Sequence, residues 1–391
     1  MNKVRYCKNC FMPNTKPGLI LDEEGICQAC RHAEEKKSID YNKRFEELKK
    51  LCNKYRSNNG SYDCIIAVSG GKDSHYQTYV MKELMGMNPL LVSVSDPFTH
   101  TKTGRHNFQN IADAFSCDII TLNQNPDLVR RMMKIAFEEF GSPTWAIDRA
   151  IYVFPIKMAI KLGIKLVVYG ENVSYEYGGV LENKETYSAK DQINNDVAKK
   201  IDFDFWLNKG IRQEEINMLV YPTDKEIEKA ELEPIYLGYF VKWDGYKNYQ
   251  IAKKYGFRSL GNEWIREGFI EDYDQVDSYA YLVHPWLKYP KFGFGRATDV
   301  VGYWIRGGKI TRKEGLELLK KHENSLVDTK ALEDFLNFTG YTVKEFWNIA
   351  DKFWNTDIFE KTDGLWYKKI NNPWEEDYII NSIEEKAITN L

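Results

Sequence analysis

The sequence predicts an α/β protein in which a parallel-sheet domain sits between a four-cysteine ribbon and a helical carboxyl-terminal region. Three observations carry that reading. From residue 62, short apolar runs at 63–68, 89–95, 117–122 and 165–170 alternate with helical spacing over 72–86, 105–116, 126–140 and 146–162. Strand and helix in strict alternation make βαβ units, hence a parallel sheet covered on both faces. Two C-x-x-C pairs, Cys7/Cys10 and Cys27/Cys30, precede that rhythm, and capping boxes mark helix starts after it. The expected organisation is a ribbon over 1–35, a linker helix within 36–61, a sheet domain over 62–310 with a polar helical insertion at about 178–230, and helices over 311–391.

The ribbon comes first. Sixteen residues separate the two cysteine pairs, and Gly18 and Gly25 between them permit tight reversals. This is the spacing of two knuckles closing on one tetrahedral Zn²⁺. A stretch of 35 residues buries too little to fold alone, so metal binding supplies the folding energy. Four thiolates (Cys7, Cys10, Cys27, Cys30) leave no open position, which makes the zinc structural. A redox C-x-x-C would occur once and open a helix. Cys52, Cys64 and Cys117 stand alone, and the apolar surroundings of Cys64 and Cys117 read as inert buried thiols.

Phe45, Leu48, Leu51, Cys52 and Tyr55 recur at three- and four-residue steps, giving an amphipathic linker helix over 41–56. After the first apolar run stands Ser69-Gly70-Gly71-Lys72-Asp73-Ser74. Strand, glycine turn and helix start aim backbone N–H groups and a positive dipole end at one anion. Lys72 adds a point charge, Ser69 and Ser74 add hydroxyl donors, and Asp73 offers an oxygen ligand for Mg²⁺. The stretch is not a G-x-x-x-x-G-K-[ST] loop, because Ile66 stands where the first glycine would be.

In such a sheet the site lies beyond the carboxyl ends of the strands. Asp96 and Gly170-Glu171-Asn172 fall there. Asp96 is either a nucleoside contact or the opener of an Asp-Pro turn. Glu171 is either a Mg²⁺ ligand or a proton acceptor for incoming ammonia. Arg149 has two readings, a phosphate contact or a pairing with an acid. Further on, Thr223-x-x-Glu226, Thr311-x-x-Glu314 and Thr342-x-x-Glu345 are capping boxes, with Tyr341 and Phe346 placed for a hydrophobic staple. Phe346, Trp347, Phe353 and Trp354 at helical spacing read as core or partner surface. Lys291 and Arg296, in Lys291-Phe-Gly-Phe-Gly-Arg296, suit a clamp on a departing pyrophosphate. His284 is a weaker catalytic candidate.

Bulk properties narrow the partners. Over 391 residues the formal net charge is -3, with 43% hydrophobic residues. A broad basic face for a nucleic-acid backbone is not expected. No apolar run reaches the length of a membrane span, and no apolar signal core follows Met1. A cytoplasmic protein without membrane insertion is expected.

The 69–74 loop resembles the pyrophosphate loop (PP-loop) of ATP pyrophosphatases, a HUP-like fold also described as adenine nucleotide alpha hydrolase-like. A wider set resembles the N-acetyl sugar amidotransferase family of lipopolysaccharide O-antigen and pseudaminic-acid-type sugar biosynthesis. That set is Tyr6-Cys7-x-x-Cys10-x-Met12-Pro13, Val68–Ser74, Tyr169-Gly-Glu-Asn172 and Lys291–Asp299. The resemblance implies conversion of a sugar N-acetyl group to an acetamidino group with ATP, Mg²⁺ and ammonia, releasing AMP and pyrophosphate. Catalytic roles would fall to Lys72, Asp73 and Glu171. The nucleotide would be held by Ser69, Gly70, Gly71, Lys72, Asp73, Ser74, Asp96, Gly170, Asn172, Lys291 and Arg296. The implied acceptor is a nucleotide-linked diacetamido uronic acid or a nonulosonic acid. No glutaminase signature is present, so the implied partners are a glutaminase subunit and a barrel-type synthase subunit like the histidine-biosynthesis pair. The aromatic carboxyl-terminal helices are a candidate docking face for them. Two competing readings are a tRNA-modifying enzyme (a thiolase or lysidine-type synthetase) and a non-catalytic zinc-stabilised nucleotide scaffold.

Overall fold

A computed structural model describes residues 4–179, 186–190, 192 and 202–375. Its centre is a five-stranded sheet built from β1 (Cys64–Ala67), β2 (Pro89–Ser95), β3 (Ile119–Asn123), β4 (Leu166–Tyr169) and β5 (Glu233–Tyr236). The strands lie in the order β3-β2-β1-β4-β5 and every pairing is parallel. β1 is the hub, with Cys64 opposite Pro89 on one side and Leu166 on the other.

Burial on both faces explains the near-continuous apolar strands. Ile66, Leu91, Val168 and Ile235 pack under Leu48, Cys52 and Met81, so the linker helix Tyr41–Tyr55 covers one face. Ile65, Leu90, Val92 and Val167 pack under Phe154, Ile156 and Ala159 of the helix Trp145–Leu162 on the other. Each fully buried aliphatic side chain of this kind contributes roughly 1.5–3 kcal/mol. β5 was not among the anticipated strands. It is four residues long and contains Pro234, which a sheet tolerates at an edge because no ladder donor is needed there.

The helix expected over 72–86 is Lys72–Tyr79 followed by a wider π-helical turn, Val80–Leu84. The capping boxes at Thr223, Thr311 and Thr342 all form, each with reciprocal side-chain and backbone bonds. Phe346 and Tyr341 both pack against Phe137, with ring centroids 5.4 and 6.3 Å away. The aromatic stripe therefore faces inward: Phe346 and Trp354 are buried, and Trp347 and Phe353 pack on the core. It serves as core.

The region beyond 311 is not wholly helical. After the helices Arg312–His322, Thr329–Thr339 and Val343–Ala350 comes an antiparallel hairpin, β6 (Phe359–Thr362) with β7 (Leu365–Lys368). Its two-residue turn is Asp363-Gly364, both at positive φ, a pairing that suits a tight hairpin. Of the insertion at 178–230, helices are seen at Phe203–Asn208 and Asp224–Lys229; residues 180–185, 191 and 193–201 of that expectation lie outside the described residues. Among the described residues no helix is long and apolar enough to cross a membrane.

Candidate active site and metal centre

The strand order reverses at β1, because β2 and β3 extend to one side and β4 and β5 to the other. The loops after β1 and β4 diverge there and leave a crevice at the carboxyl ends. A cavity of about 270 Å³ opens in it, lined by Val68, Ser69, Asp73, Tyr169 and Glu171 among others. Ser69, Asp73 and Ser74 of the loop 69–74 line it. The Ser69 amide donates to Ser74 Oγ at 2.9 Å, and the Gly71 amide donates to Ser69 Oγ at 3.3 Å. Gly70 has φ +86°, and a Cβ added there would stand 2.9 Å from the Phe108 Cα. Only glycine fits that turn. His75, on the first turn of the following helix, bonds the Gly71 carbonyl at 3.0 Å; burial lowers its pKa to about 4, so it is neutral.

Lys72 is 5% exposed and forms ion pairs with Asp73, at 2.6 Å, and Asp274. Burial alone would discharge it; Asp274 and Asp73 outweigh that and hold its pKa well above the usual lysine value. The other Asp73 oxygen accepts from Asn248 Nδ2 at 2.8 Å. Asp274 also accepts from Arg296 at 3.1 Å. Behind it, Arg266 pairs with Glu271 at 3.1 Å, both almost fully buried. Burial opposes ionisation of Asp274, yet Lys72 and Arg296 keep its pKa below the ordinary value. The loop lysine and the distal arginine thus meet through one carboxylate.

Asp274, Glu271, Arg266 and Asn248 were not anticipated from sequence. The only signal for the first two is the acidic run Glu271-Asp272-Tyr273-Asp274, and such a run ordinarily reads as a solvated loop. Asn248 lies on the helix Gly245–Lys254 without any motif of its own.

The remaining anticipated residues divide. Glu171 lines the cavity; burial, then the charge of Asp73, push its pKa up to about 8. Two carboxylates short of one cation behave in this way. The Asp73 oxygens already accept from Lys72 and Asn248, so a divalent ion there would share them with those donors. Gly170 is packed against Gln77 and Trp243, and its carbonyl accepts from the Gly238 amide at 2.8 Å. Asn172 lines the cavity and caps the short helix after it, accepting from the Ser174 amide at 3.1 Å. Asp96 forms the turn, accepting from the Phe98 amide and Ser278 Oγ, both at 2.9 Å. The Lys291 ammonium donates to the Gly141 carbonyl at 2.8 Å, while Arg296 joins the ion network through Asp274. Arg149 donates to the Leu219 carbonyl at 3.1 Å. His284 is half-buried, and desolvation lowers its pKa to about 3. Burial raises the pKa of Cys52, Cys64 and Cys117, as inert thiols require.

The four front cysteines gather into one buried cluster, all four sulfurs within 4.8 Å of one another. Cys10 and Cys27 sulfurs are 3.5 Å apart, and those of Cys7 and Cys30 3.9 Å. A tetrahedral ion with Zn–S near 2.3 Å requires sulfurs about 3.8 Å apart, so the set fits a metal such as zinc. The Cys27 amide donates to Cys7 Sγ at 3.2 Å. Arg306 lies against the cluster: burial opposes its charge, and Cys10, Cys30 and Cys27 more than restore it. Arg306 ends the helix that Arg296 begins. One rigid element therefore joins the cysteine cluster to the ion network.

Residues 267–372 match the family model described as LPS biosynthesis protein WbpG-like, C-terminal domain. Glu271, Asp274, Arg296 and Arg306 all fall inside that match. The chain is also 27% identical, over 185 residues, to the uncharacterized protein MJ1599 of Methanocaldococcus jannaschii. That alignment covers 46% of this chain and 63% of the relative, so less than two thirds of the relative's length is matched. The family match relates residues 267–372 to lipopolysaccharide biosynthesis proteins.

Proposed function

We propose that this protein is an ATP-dependent amidotransferase of the PP-loop type that turns a sugar N-acetyl group into an acetamidino group. One observation carries the reading. The loop 69–74 occupies the crevice of a parallel sheet and is tied, through Lys72–Asp274–Arg296, to a segment similar to lipopolysaccharide biosynthesis proteins.

An amide carbonyl is a poor electrophile with a very poor leaving group. In the proposed first step the acetamido oxygen attacks the α-phosphorus of ATP. The bond to the β-phosphate oxygen breaks, and pyrophosphate departs with the electron pair. The loop amides, Lys72 and Arg296 bind the charge that develops on the pyrophosphate. Asp73 offers a carboxylate for Mg²⁺, which when bound would neutralise phosphate charge. In the second step ammonia adds to the imidate carbon, the carbon–oxygen bond breaks, and AMP leaves. A proton from the incoming nitrogen passes to Glu171, whose pKa near 8 suits a base acting around neutrality. Ammonia comes, in this reading, from a separate glutaminase subunit working with a barrel-type synthase subunit, in the cytoplasm.

The test is incubation with ATP, Mg²⁺, ammonium chloride and a panel of N-acetylated sugars. AMP and pyrophosphate should form only with a sugar acceptor, and the product should carry a new basic group by mass spectrometry. Release of ADP, or AMP formation that depends on tRNA in place of sugar, defeats the proposal.

A further inference from the structure

A second cavity, about 330 Å³, adjoins the first and shares Asn172 and Tyr236 with it. Its far wall comes from the end of the ribbon and the start of the linker helix, through Tyr41 and Arg44; Glu176 and Tyr239 complete it. The volume falls in the range of small-molecule sites. Its chemistry is not that of a nucleobase slot or a lipid tunnel. Tyrosine rings alternate with charged groups, offering flat faces to C–H bonds and polar atoms to hydroxyls.

Charge sharpens the ligand class. Glu176 is already neutralised by Lys36, in a pair with both side chains largely buried, and Glu35 stands at the exposed rim. The Arg44 guanidinium lies 3.8 Å over the Tyr239 ring and donates to the Tyr239 carbonyl at 3.1 Å. Among the described residues no carboxylate is in ion-pair contact with it. A half-buried guanidinium held by a ring and one carbonyl still has donors for a planar anion.

We infer that this second cavity is the acceptor subsite and that Arg44 selects an acceptor bearing a carboxylate. The inference rests on the amidotransferase reading above. The turn Gly170–Asn172 separates the two cavities, so an acetamido oxygen reaching over it approaches the nucleotide beside Glu171. Binding of the acceptor would then depend on the amino-terminal unit, and binding of the nucleotide on the loop 69–74.

The experiment uses the full chain, with acceptor-dependent ATP–pyrophosphate exchange as readout. The probes are nucleotide-linked and free N-acetylated sugars, each as the carboxylate and as its methyl ester. The wild type should favour the carboxylate form at least tenfold. Arg44→Ala should raise the acceptor KM tenfold or more and erase that preference, with the KM for ATP within twofold of wild type; Arg44→Lys should restore part of it. Fluorescent-ATP binding and the melting temperature establish that each variant is folded. Should Arg44→Ala misfold, Arg44→Gln keeps most of the stem and answers the same question. Exchange that proceeds with an unchanged acceptor KM in the alanine or glutamine variant overturns the subsite and leaves the enzyme reading standing. No acceptor-dependent exchange with any probe in the wild type overturns the enzyme reading and the subsite with it.

Discussion

The cysteine cluster and the Lys72 network both concentrate buried charge, and they handle it in opposite ways. The cluster is closed: four sulfurs from one short stretch face a single centre, and Arg306 stands behind them. The network reaches the cavity through Asp73 and draws Lys72, Asp73, Asn248, Asp274 and Arg296 from separate parts of the chain. Closure leaves no position for a substrate, so the cluster can only hold structure. Openness leaves Ser69, Asp73 and Ser74 of the loop facing a space where a ligand's charge can replace Asp73 as the partner of Lys72. The difference shows which buried ions are scaffold and which are poised for chemistry.

The largest expected effect tests the closed region. Replacing Cys7 and Cys30 together by serine should take metal content, read by atomic absorption, from one ion per chain to none. Structural zinc in small modules supplies on the order of 10 kcal/mol of folding energy, so the ribbon should unfold. With the metal and Cys30 gone, Arg306 keeps only Cys10 and Cys27 as counter-charge, and nucleotide affinity should fall because Arg296 lies on the same helix. Unchanged affinity in a metal-free chain would show that the two regions are independent.

Next comes the open region. Lys72→Met should abolish AMP formation and destabilise the fold by about 3–5 kcal/mol, since Asp73 and Asp274 lose their buried partner. Adding Asp274→Asn should return part of that stability without returning activity. A coupling energy of about 1–3 kcal/mol in the double-mutant cycle is expected from urea unfolding. Strict additivity would mean the ion pair is not formed in solution.

The smallest effect is a pH dependence. Folded Glu171 titrates near 8, against 4.5 ordinarily. Between those values the folded chain holds a proton that the unfolded chain has released, so this group's contribution to stability falls as pH rises across that window. Glu171→Gln should flatten the fall, leaving the variant more stable than wild type near pH 8 by about 1–3 kcal/mol, while losing activity. A variant with the wild-type pH profile in thermal melts would remove Glu171 from the charged cluster.

How much could be read beforehand differs between the same two regions. The cluster was legible because its ligands lie close in sequence and metal geometry dictates their spacing. The loop was legible for a related reason: Gly70 needs positive φ, and strand, turn and helix follow one another directly. Asp274 and Asn248 were not legible, because one sits in an acidic run that could equally be solvated and the other is an ordinary helical residue. β5 escaped through its Pro234, and the closing hairpin escaped although Asp363-Gly364 announces a tight turn.

From its residues alone, then, this protein discloses the local devices: the knuckles, the glycine turn, the capping boxes and the apolar periods that make strands and helices. Tertiary structure decided which charges meet. A carboxylate's partner is chosen by where the sheet order reverses and by which helix is long enough to reach from the cysteines to Lys72. Those distances arise from packing across the whole chain, and no stretch of sequence encodes them by itself.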